Sequence, residues 1–200
     1  MEIFKKLNND HINFIQKQKV FFVATAVADG RINLSPKGLD SLRVLDDNRI
    51  VWLNLTGSGN ETSAHVQKSS RMTIMMNAFE GRPLILRIYG EARVIHHLDK
   101  EWSSLIDLFP YSEGSRQIFD LSISSVQTSC GWAVPEYKFI KERNILDKSN
   151  KAAGEKGIKK YWKKANTKSI DGIKTNIIEK NIGKSFLSSI SFNKKEKTKK

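Results

Sequence analysis

The segment FFVATAVADGRINLS, residues 21–35, decides the fold class of this chain. Residues 21–28 are rich in Phe, Val and Ala and include one Thr, a composition typical of a half-buried β-strand. Asp29-Gly30 follows, and this dipeptide suits a tight hairpin turn because both of its positions tolerate positive φ. Residues 31–35 lead back out as a second strand. The segment therefore predicts an antiparallel β-hairpin.

Further strands follow this hairpin. Runs of β-branched, aromatic and other apolar residues, bounded by turn residues, predict strands at residues 42–45, 49–55, 71–77, 84–96 and 118–128. Gly90, inside the fourth of these runs, indicates a bulge or sharp bend. The chain lacks the regular alternation of strands and long helices that a parallel sheet requires. We therefore predict a mainly β fold, an antiparallel β-barrel with short peripheral helices.

The helices and the domain limits follow from the same periodicity. Helices are predicted over residues 1–19, 61–69, 98–109 and 138–164. We expect three parts: a barrel domain, residues 1–140; a helical C-terminal extension that packs on it, residues 141–180; and a basic, disordered tail, residues 181–200.

Charge is distributed unevenly along the chain. The 34 Lys and Arg residues and 21 Asp and Glu residues give a net charge of +13. Residues 1–140 carry +1 and residues 141–200 carry +12. Lysine dominates the basic part, and lysine recognises phosphates and bases less specifically than arginine does. We therefore expect a solvated tail rather than a nucleic-acid binder, although an anionic surface or nucleic acid stays an alternative partner for this part.

Composition also indicates the cell compartment. The single cysteine, Cys130, excludes an intramolecular disulfide framework. The N-terminus lacks an apolar run of signal-peptide length. The longest apolar run, residues 20–28, is far shorter than the roughly 20 residues of a membrane-spanning helix. We therefore expect a cytoplasmic protein with no membrane partner.

Two polar segments carry the residue types of an anion site. NLSPKG, residues 33–38, offers a hydroxyl, a lysine and a glycine at the end of the hairpin. NLTGSGNET, residues 54–62, runs from a strand through a Gly- and hydroxyl-rich loop into a helix. Such a loop suits a phosphate group, although it also suits an ordinary capped turn. It matches neither the GxxxxGK[ST] phosphate loop nor the GxGxxG dinucleotide pattern.

These segments, with Ile50-Val51-Trp52-Leu53, Ala64-His65 and residues 71–75, resemble the pyridoxamine 5'-phosphate oxidase family. Residues 127–135 and Asn166-Thr167-Lys168-Ser169-Ile170-Asp171-Gly172 are similar to a subgroup of oxidases in that family. The resemblance covers roughly residues 5–175. It implies an antiparallel split barrel that binds FMN at the interface of a homodimer.

The resemblance assigns the cofactor to eleven residues. Ser35, Pro36, Lys37 and Gly38 would lie along the flavin. Asn54, Leu55 and Thr56 would line the edge of its ring system. Ser58, Gly59, Asn60 and Thr62 would surround the phosphate. The cofactor carries the electron chemistry, so no side chain is predicted to be catalytic and no metal is required.

Two departures from the family pattern bear on the substrate. Asn60 and Glu61 stand where pyridoxamine phosphate oxidases carry an Arg-Lys pair, and the chain lacks their C-terminal Arg-x-His pair. We therefore expect an FMN-dependent oxidoreductase with a different small substrate, reduced by a nicotinamide or by that substrate. The alternatives are a non-catalytic flavin-binding or sensory protein, and the same barrel binding a deazaflavin or haem.

Other chemically suggestive residues receive structural interpretations. Adjacent strand residues point to opposite faces, so His96 and His97 are expected to be a surface pair rather than ligands of one metal ion. Cys130 has no neighbouring base and is expected to be a small packed residue.

Overall fold

The computed structural model describes residues 1–183, which form eight strands and five helices. The strands are β1 Glu2–Phe4, β2 Phe21–Thr25, β3 Asn33–Lys37, β4 Leu42–Asp46, β5 Arg49–Leu55, β6 Arg71–Asn77, β7 Ile85–Ile95 and β8 Ser115–Ser129. The helices are α1 Asn9–Lys17, α2 Glu61–Val66, α3 Trp102–Ile106, α4 Ile145–Ala165 and α5 Ile177–Asn181.

All eight strands belong to one antiparallel sheet. Its order is β3-β2-β6-β7-β8-β5-β4, with β1 added beside β8. β8 is the longest strand and pairs with β1, β5 and β7. The terminal strands β3 and β4 do not pair with each other, so the sheet curls without closing. The predicted mainly β, split-barrel fold with peripheral helices is confirmed.

Alternating residues of successive strands form the core. Val23, Trp52, Ile74, Ile88 and Phe119 are fully buried, and they come from five different strands. The rings of Trp52 and Phe119 stack with centroids 4.5 Å apart across β5 and β8. Burying a large apolar side chain contributes roughly 1.5–3 kcal/mol. The core therefore packs β5 against β8. The polar loop begins directly after the last residue of β5.

A β-bulge bends β7 against β8. The register shifts between Tyr89 and Gly90. A Cβ on residue 90 would lie 2.0 Å from the backbone oxygen of Ser122, so only glycine allows this approach of the two strands. The predicted bend at Gly90 is confirmed.

Two local predictions about the N-terminal part are wrong. The β2–β3 pairing ends at Thr25 opposite Asn33, so residues 26–32 form a loop instead of a two-residue turn. Residues 1–19 are not one helix, because residues 2–4 add a strand to β8. Asn8 then caps α1 by accepting a hydrogen bond from the backbone of His11.

The C-terminal helices lie beside the loop between β5 and α2. Ile158 and Trp162 of α4 pack with Ile177 and Ile178 of α5 in a small apolar cluster. The predicted helix over 138–164 begins only at residue 145 and contains non-helical backbone at Gly154.

The predicted tail needs a correction at its start. Asn181 is buried and ends α5, so the predicted disorder does not begin at residue 181; residues 184–200 lie outside the described part of the chain. A search of residues 1–183 finds no helix with the length and hydropathy of a membrane span.

Candidate functional site

A cavity of about 960 Å³ lies where β3 meets the loop between β5 and α2. Its remaining walls come from β8 and from residues 141–149. The structure brings together here all but one of the predicted cofactor residues, namely Ser35, Pro36, Lys37, Gly38, Asn54, Leu55, Ser58, Gly59, Asn60 and Thr62. The two polar segments therefore meet in the folded chain, although 15 residues separate them in sequence.

Thr56 is the exception. Its side chain is 4% exposed and lies outside the cavity lining. Its Oγ1 accepts a hydrogen bond of 2.8 Å from Nε1 of Trp162 on α4. The expectation that Thr56 lines the edge of a flavin is therefore not met, because this hydroxyl joins the barrel to the C-terminal helix.

β3 alternates between a partly buried face and an exposed face. Asn33, Ser35 and Lys37 are partly buried on one face, and Leu34 and Pro36 are exposed on the other. β3 ends the sheet and pairs only with β2, which is why it tolerates Pro36. One face of an edge strand therefore presents a hydroxyl and an ammonium group to the cavity.

Four basic side chains of residues 1–183 line the cavity; Lys141 and Arg143 are exposed, whereas Lys37 and Arg116 are not and have no carboxylate partner. Lys37 comes from β3, and its Nζ lies 5.5 Å from the centroid of the Trp52 ring. Arg116 comes from β8 and is 4% exposed. Its Nη1 donates to the carbonyl oxygens of Gly59, at 2.8 Å, and Gly57, at 3.4 Å. Among residues 1–183, neither Lys37 nor Arg116 forms an ion pair.

The pKa values of both groups are lowered by burial. The pKa of Lys37 is lowered to about 8, mainly by desolvation and to a lesser extent by repulsion from Arg116. Desolvation lowers the pKa of Arg116 to about 10. In both cases burial removes water from the charged group, and no neighbouring carboxylate of residues 1–183 offsets that loss. A negatively charged ligand placed between them would offset it.

Three buried polar atoms of the cavity residues have no hydrogen-bond partner within residues 1–183. They are Oγ of Ser35, Oδ1 of Asn60 and Nε of Arg116. Asn60 precedes α2 but does not cap it with its side chain. Buried polar groups are nearly always paired, so unpaired atoms grouped in one cavity indicate a polar ligand. Oγ of Ser35 and Nε of Arg116 can donate to a phosphate, whereas Oδ1 of Asn60 only accepts and suits a hydroxyl group of the same cofactor.

Other predicted residues are held in place by neighbours. Thr62 Oγ1 accepts from Nδ2 of Asn33, which also donates to Oγ1 of Thr25. Asn54 donates from Nδ2 to Oε1 of the fully buried Gln117. Side-chain hydrogen bonds between neighbouring strands, and between β3 and α2, therefore hold the cavity walls together.

Glu61 also lines the cavity, where a carboxylate would repel a phosphate. Both of its carboxylate oxygens lie 3.1 Å from the backbone nitrogen of Ile170, which donates to them. The carboxylate is thus engaged by the segment that follows α4.

Sequence reasoning missed Arg116. The predicted strand begins at residue 118, whereas β8 begins at Ser115, so Arg116 fell just outside any assigned element. The only local signal was an arginine directly before a strongly apolar run. Its role depends on residues about 60 positions away, which a local pattern does not reveal.

Two interpretations of reactive side chains are wrong. His96 is 2% exposed and is not a surface residue, and burial lowers its pKa to about 4. Its Nε2 lies 3.2 Å from Nε2 of Gln117, which donates to it. Cys130 is exposed rather than packed. No group of three or more metal-ligating side chains occurs in the described part of the chain.

A larger cavity, of about 1200 Å³, lies between α1, residues 78–84 and residues 137–141. Aromatic side chains line it, including Phe14, Phe79 and Tyr137. The basic side chains on its wall are all exposed, so it lacks the buried, unpaired cations that distinguish the first cavity.

Comparison with known proteins identifies the family. The family model for pyridoxamine 5'-phosphate oxidase matches residues 8–130. The pyridoxamine 5'-phosphate oxidase family protein ustO of Aspergillus flavus is 35% identical over 141 residues, which are 68% of this chain. This chain spans only 57% of that relative's length.

The fold also recurs among solved structures. A candidate pyridoxamine 5'-phosphate oxidase from Lactobacillus delbrueckii aligns over 62% of this chain and 95% of its own, with a TM-score of 0.50 and 21% identity. That likeness concerns the fold alone. By its sequence, over more than half of its length, the chain belongs to the pyridoxamine 5'-phosphate oxidase family.

Proposed function

We propose that this protein binds FMN in the cavity between β3 and the 57–60 loop and acts as an FMN-dependent oxidoreductase on a small substrate. The observation that carries the proposal is the pair of cations, Lys37 and Arg116, which face one cavity with no carboxylate partner in residues 1–183. Family membership supports a flavin over other anionic ligands.

The charges select an anionic ligand. Removing an ammonium or guanidinium group from water is costly unless an opposite charge compensates it. Lys37 and Arg116 would supply that compensation to the phosphate of FMN. Ser35 and Asn60 carry unpaired buried atoms that add hydrogen-bond capacity on the same walls. Riboflavin shares the ring system with FMN but lacks the phosphate, so this account requires FMN to bind more tightly.

The chain's residues bind and orient the cofactor. When bound, FMN supplies hydride or electron transfer, and the protein contributes placement and electrostatics. Leu53 and Leu55 add apolar surface to the cavity beside its polar groups. Polar donors near a flavin ring favour the charge that develops on reduction. No side chain is needed as a nucleophile.

The first experiment is a titration of the purified full chain with FMN, followed by anaerobic addition of NADH or NADPH. We expect flavin fluorescence to change on binding and the absorbance near the blue edge of the visible spectrum to bleach on reduction. If FMN binds but neither nicotinamide nor any candidate substrate reduces it, the result would support the alternative of a non-catalytic flavin-binding or sensory protein. Failure to bind FMN, with binding of a deazaflavin or haem, would contradict the proposal.

We also propose that a second copy of the chain completes the site as a homodimer. The cavity opens beside β3. On the outer face of this strand, Leu34 is 65% exposed and Pro36 is also exposed. Ile32 in the preceding loop is 77% exposed. Apolar side chains grouped at a sheet edge are typical of protein interfaces. Sedimentation equilibrium is expected to give twice the mass of one chain, and a monomer with full FMN affinity would contradict this proposal.

Affinity for FMN should depend on pH through Lys37. The pKa of Lys37 is lowered to about 8, so its ammonium form dominates below pH 8 and is lost above it. A bound anion favours the ammonium form, hence the Kd for FMN is expected to rise up to tenfold per pH unit above pH 8. Arg116 stays charged over this range, because its pKa is about 10. Fluorescence titrations from pH 6.5 to 9.5 at constant ionic strength test this, with Lys37→Met as the variant that should remove the dependence.

A further inference from the structure

The segment that follows α4 contacts the cavity loop from behind. Asn166 ends α4, is fully buried and does not line the cavity. Its side-chain Nδ2 donates to the carbonyl oxygens of Gly57, at 3.1 Å, and Gly59, at 3.3 Å. Its own backbone oxygen accepts from Nδ2 of Asn60 at 3.1 Å. One residue, more than 100 positions along the chain, thus holds three groups of the loop.

These contacts tie Asn166 to the cation of the cavity. The carbonyl oxygens of Gly57 and Gly59 each accept from Nδ2 of Asn166 and from Nη1 of Arg116. The two side chains therefore share both acceptors, and the position of the loop determines where the guanidinium of Arg116 is held.

We propose that Asn166 is a positioning residue, which fixes the carbonyl oxygens of Gly57 and Gly59 and thereby holds Arg116 in place for an anionic ligand. Its effect on ligand affinity rests on the proposed function. Its effect on loop order does not, because the hydrogen bonds are made within the chain.

Neighbouring contacts strengthen this arrangement. Trp162, one turn earlier on α4, is 3% exposed and donates to Thr56, the residue that precedes the loop. Thr175 also donates from Oγ1 to the backbone oxygen of Asn166. The C-terminal extension therefore acts on both the beginning and the middle of the loop, while it leaves the cavity itself to residues of the barrel.

The test compares Asn166→Ala with Asn176→Ala. Asn176 lies in the same extension and donates to Oε1 of Gln67 at 2.7 Å, away from the loop. Its φ of +54° makes replacement by Ala mildly destabilising, so it controls for a general loss of stability. Two quantities are measured: amide hydrogen exchange of Thr56 and Ala64, the hydrogen-bonded amides on either side of the loop, without ligand, and the ratio of the Kd for riboflavin to the Kd for FMN.

We expect Asn166→Ala to accelerate exchange of the Thr56 and Ala64 amides about tenfold and to lower the Kd ratio about tenfold, as the loss of one hydrogen bond to each carbonyl implies. Asn176→Ala should change neither. A purely structural role would weaken the binding of both flavins equally and leave the ratio unchanged. An unchanged ratio and unchanged exchange in folded Asn166→Ala would overturn the inference.

A second variant covers the case in which Asn166→Ala does not fold. Trp162→Phe keeps the aromatic packing and removes the donor to Thr56, and we expect the same two changes at about threefold each. If Trp162→Phe leaves both quantities unchanged, the inference fails. If the wild-type chain binds neither flavin but exchange still accelerates in the variants, the positioning role stands and the proposed function falls.

Discussion

Replacing Lys37 by glutamate is expected to raise the Kd for FMN at least 100-fold at pH 7. The change removes one of the two cations that are withdrawn from solvent in the cavity, and it places a carboxylate near Arg116, which would then satisfy the guanidinium in place of the phosphate. Hydrogen bonds and ion pairs to charged groups contribute roughly 1.5–3 kcal/mol each, and every 1.4 kcal/mol is about a tenfold change in affinity. Fluorescence titration with FMN measures the effect.

Two controls separate charge from other consequences of this substitution. Lys37→Met keeps the length of the side chain and its packing near Trp52, and we expect a loss of about tenfold. Lys100→Glu makes the same charge change at an exposed site, and it should leave the affinity unchanged. Equal FMN affinity in Lys37→Glu and wild type would remove Lys37 from the site.

Gly90→Ala is expected to lower the free energy of unfolding by at least about 3 kcal/mol, because the added Cβ would lie 2.0 Å from the backbone oxygen of Ser122. The bulge would have to open, and it joins the two strands that share the longest register in the sheet, β7 and β8. Urea unfolding followed by circular dichroism measures the change.

Gly57→Ala is the matched control for this stability measurement. A Cβ at residue 57 would meet nothing within 4 Å, and its φ is not positive. We expect its effect on the free energy of unfolding to stay within about 1 kcal/mol. If both variants lose a similar amount of unfolding free energy, the contact between residue 90 and Ser122 is not the cause of the loss in Gly90→Ala.

Much of the fold was predictable because its signals are local. β5 and β6 were predicted with the limits that they have in the structure, since runs such as Arg49–Leu55 are continuous stretches of strand-favouring residues bounded by turn residues. Gly90 indicated its bulge because a glycine inside a strand usually marks a close backbone approach. The strand at residues 2–4 was missed because three residues are too few to show a period, and its pairing with β8 spans most of the chain.

The site was predictable only in part. The segments at 33–38 and 54–62 carried recognisable polar chemistry, and they line one cavity. Arg116 and Asn166 were not assigned to the site, although Asn166 begins a segment similar to the oxidase subgroup, because each acts through backbone carbonyls of residues 57 and 59 that lie far away in sequence. Thr56 shows the converse, since its position in the motif suggested a ligand contact and its hydroxyl is bonded to Trp162 instead. Long-range hydrogen bonds to the main chain leave no pattern in a single sequence.

The account depends on a phosphate held between Lys37 and Arg116, and one comparison tests that directly. The Kd values for FMN and riboflavin are measured on the full wild-type chain at pH 7 and the same ionic strength. The account predicts that FMN binds at least about 100-fold more tightly, because only FMN carries the group that both cations would hold. Equal affinity for the two flavins would contradict it.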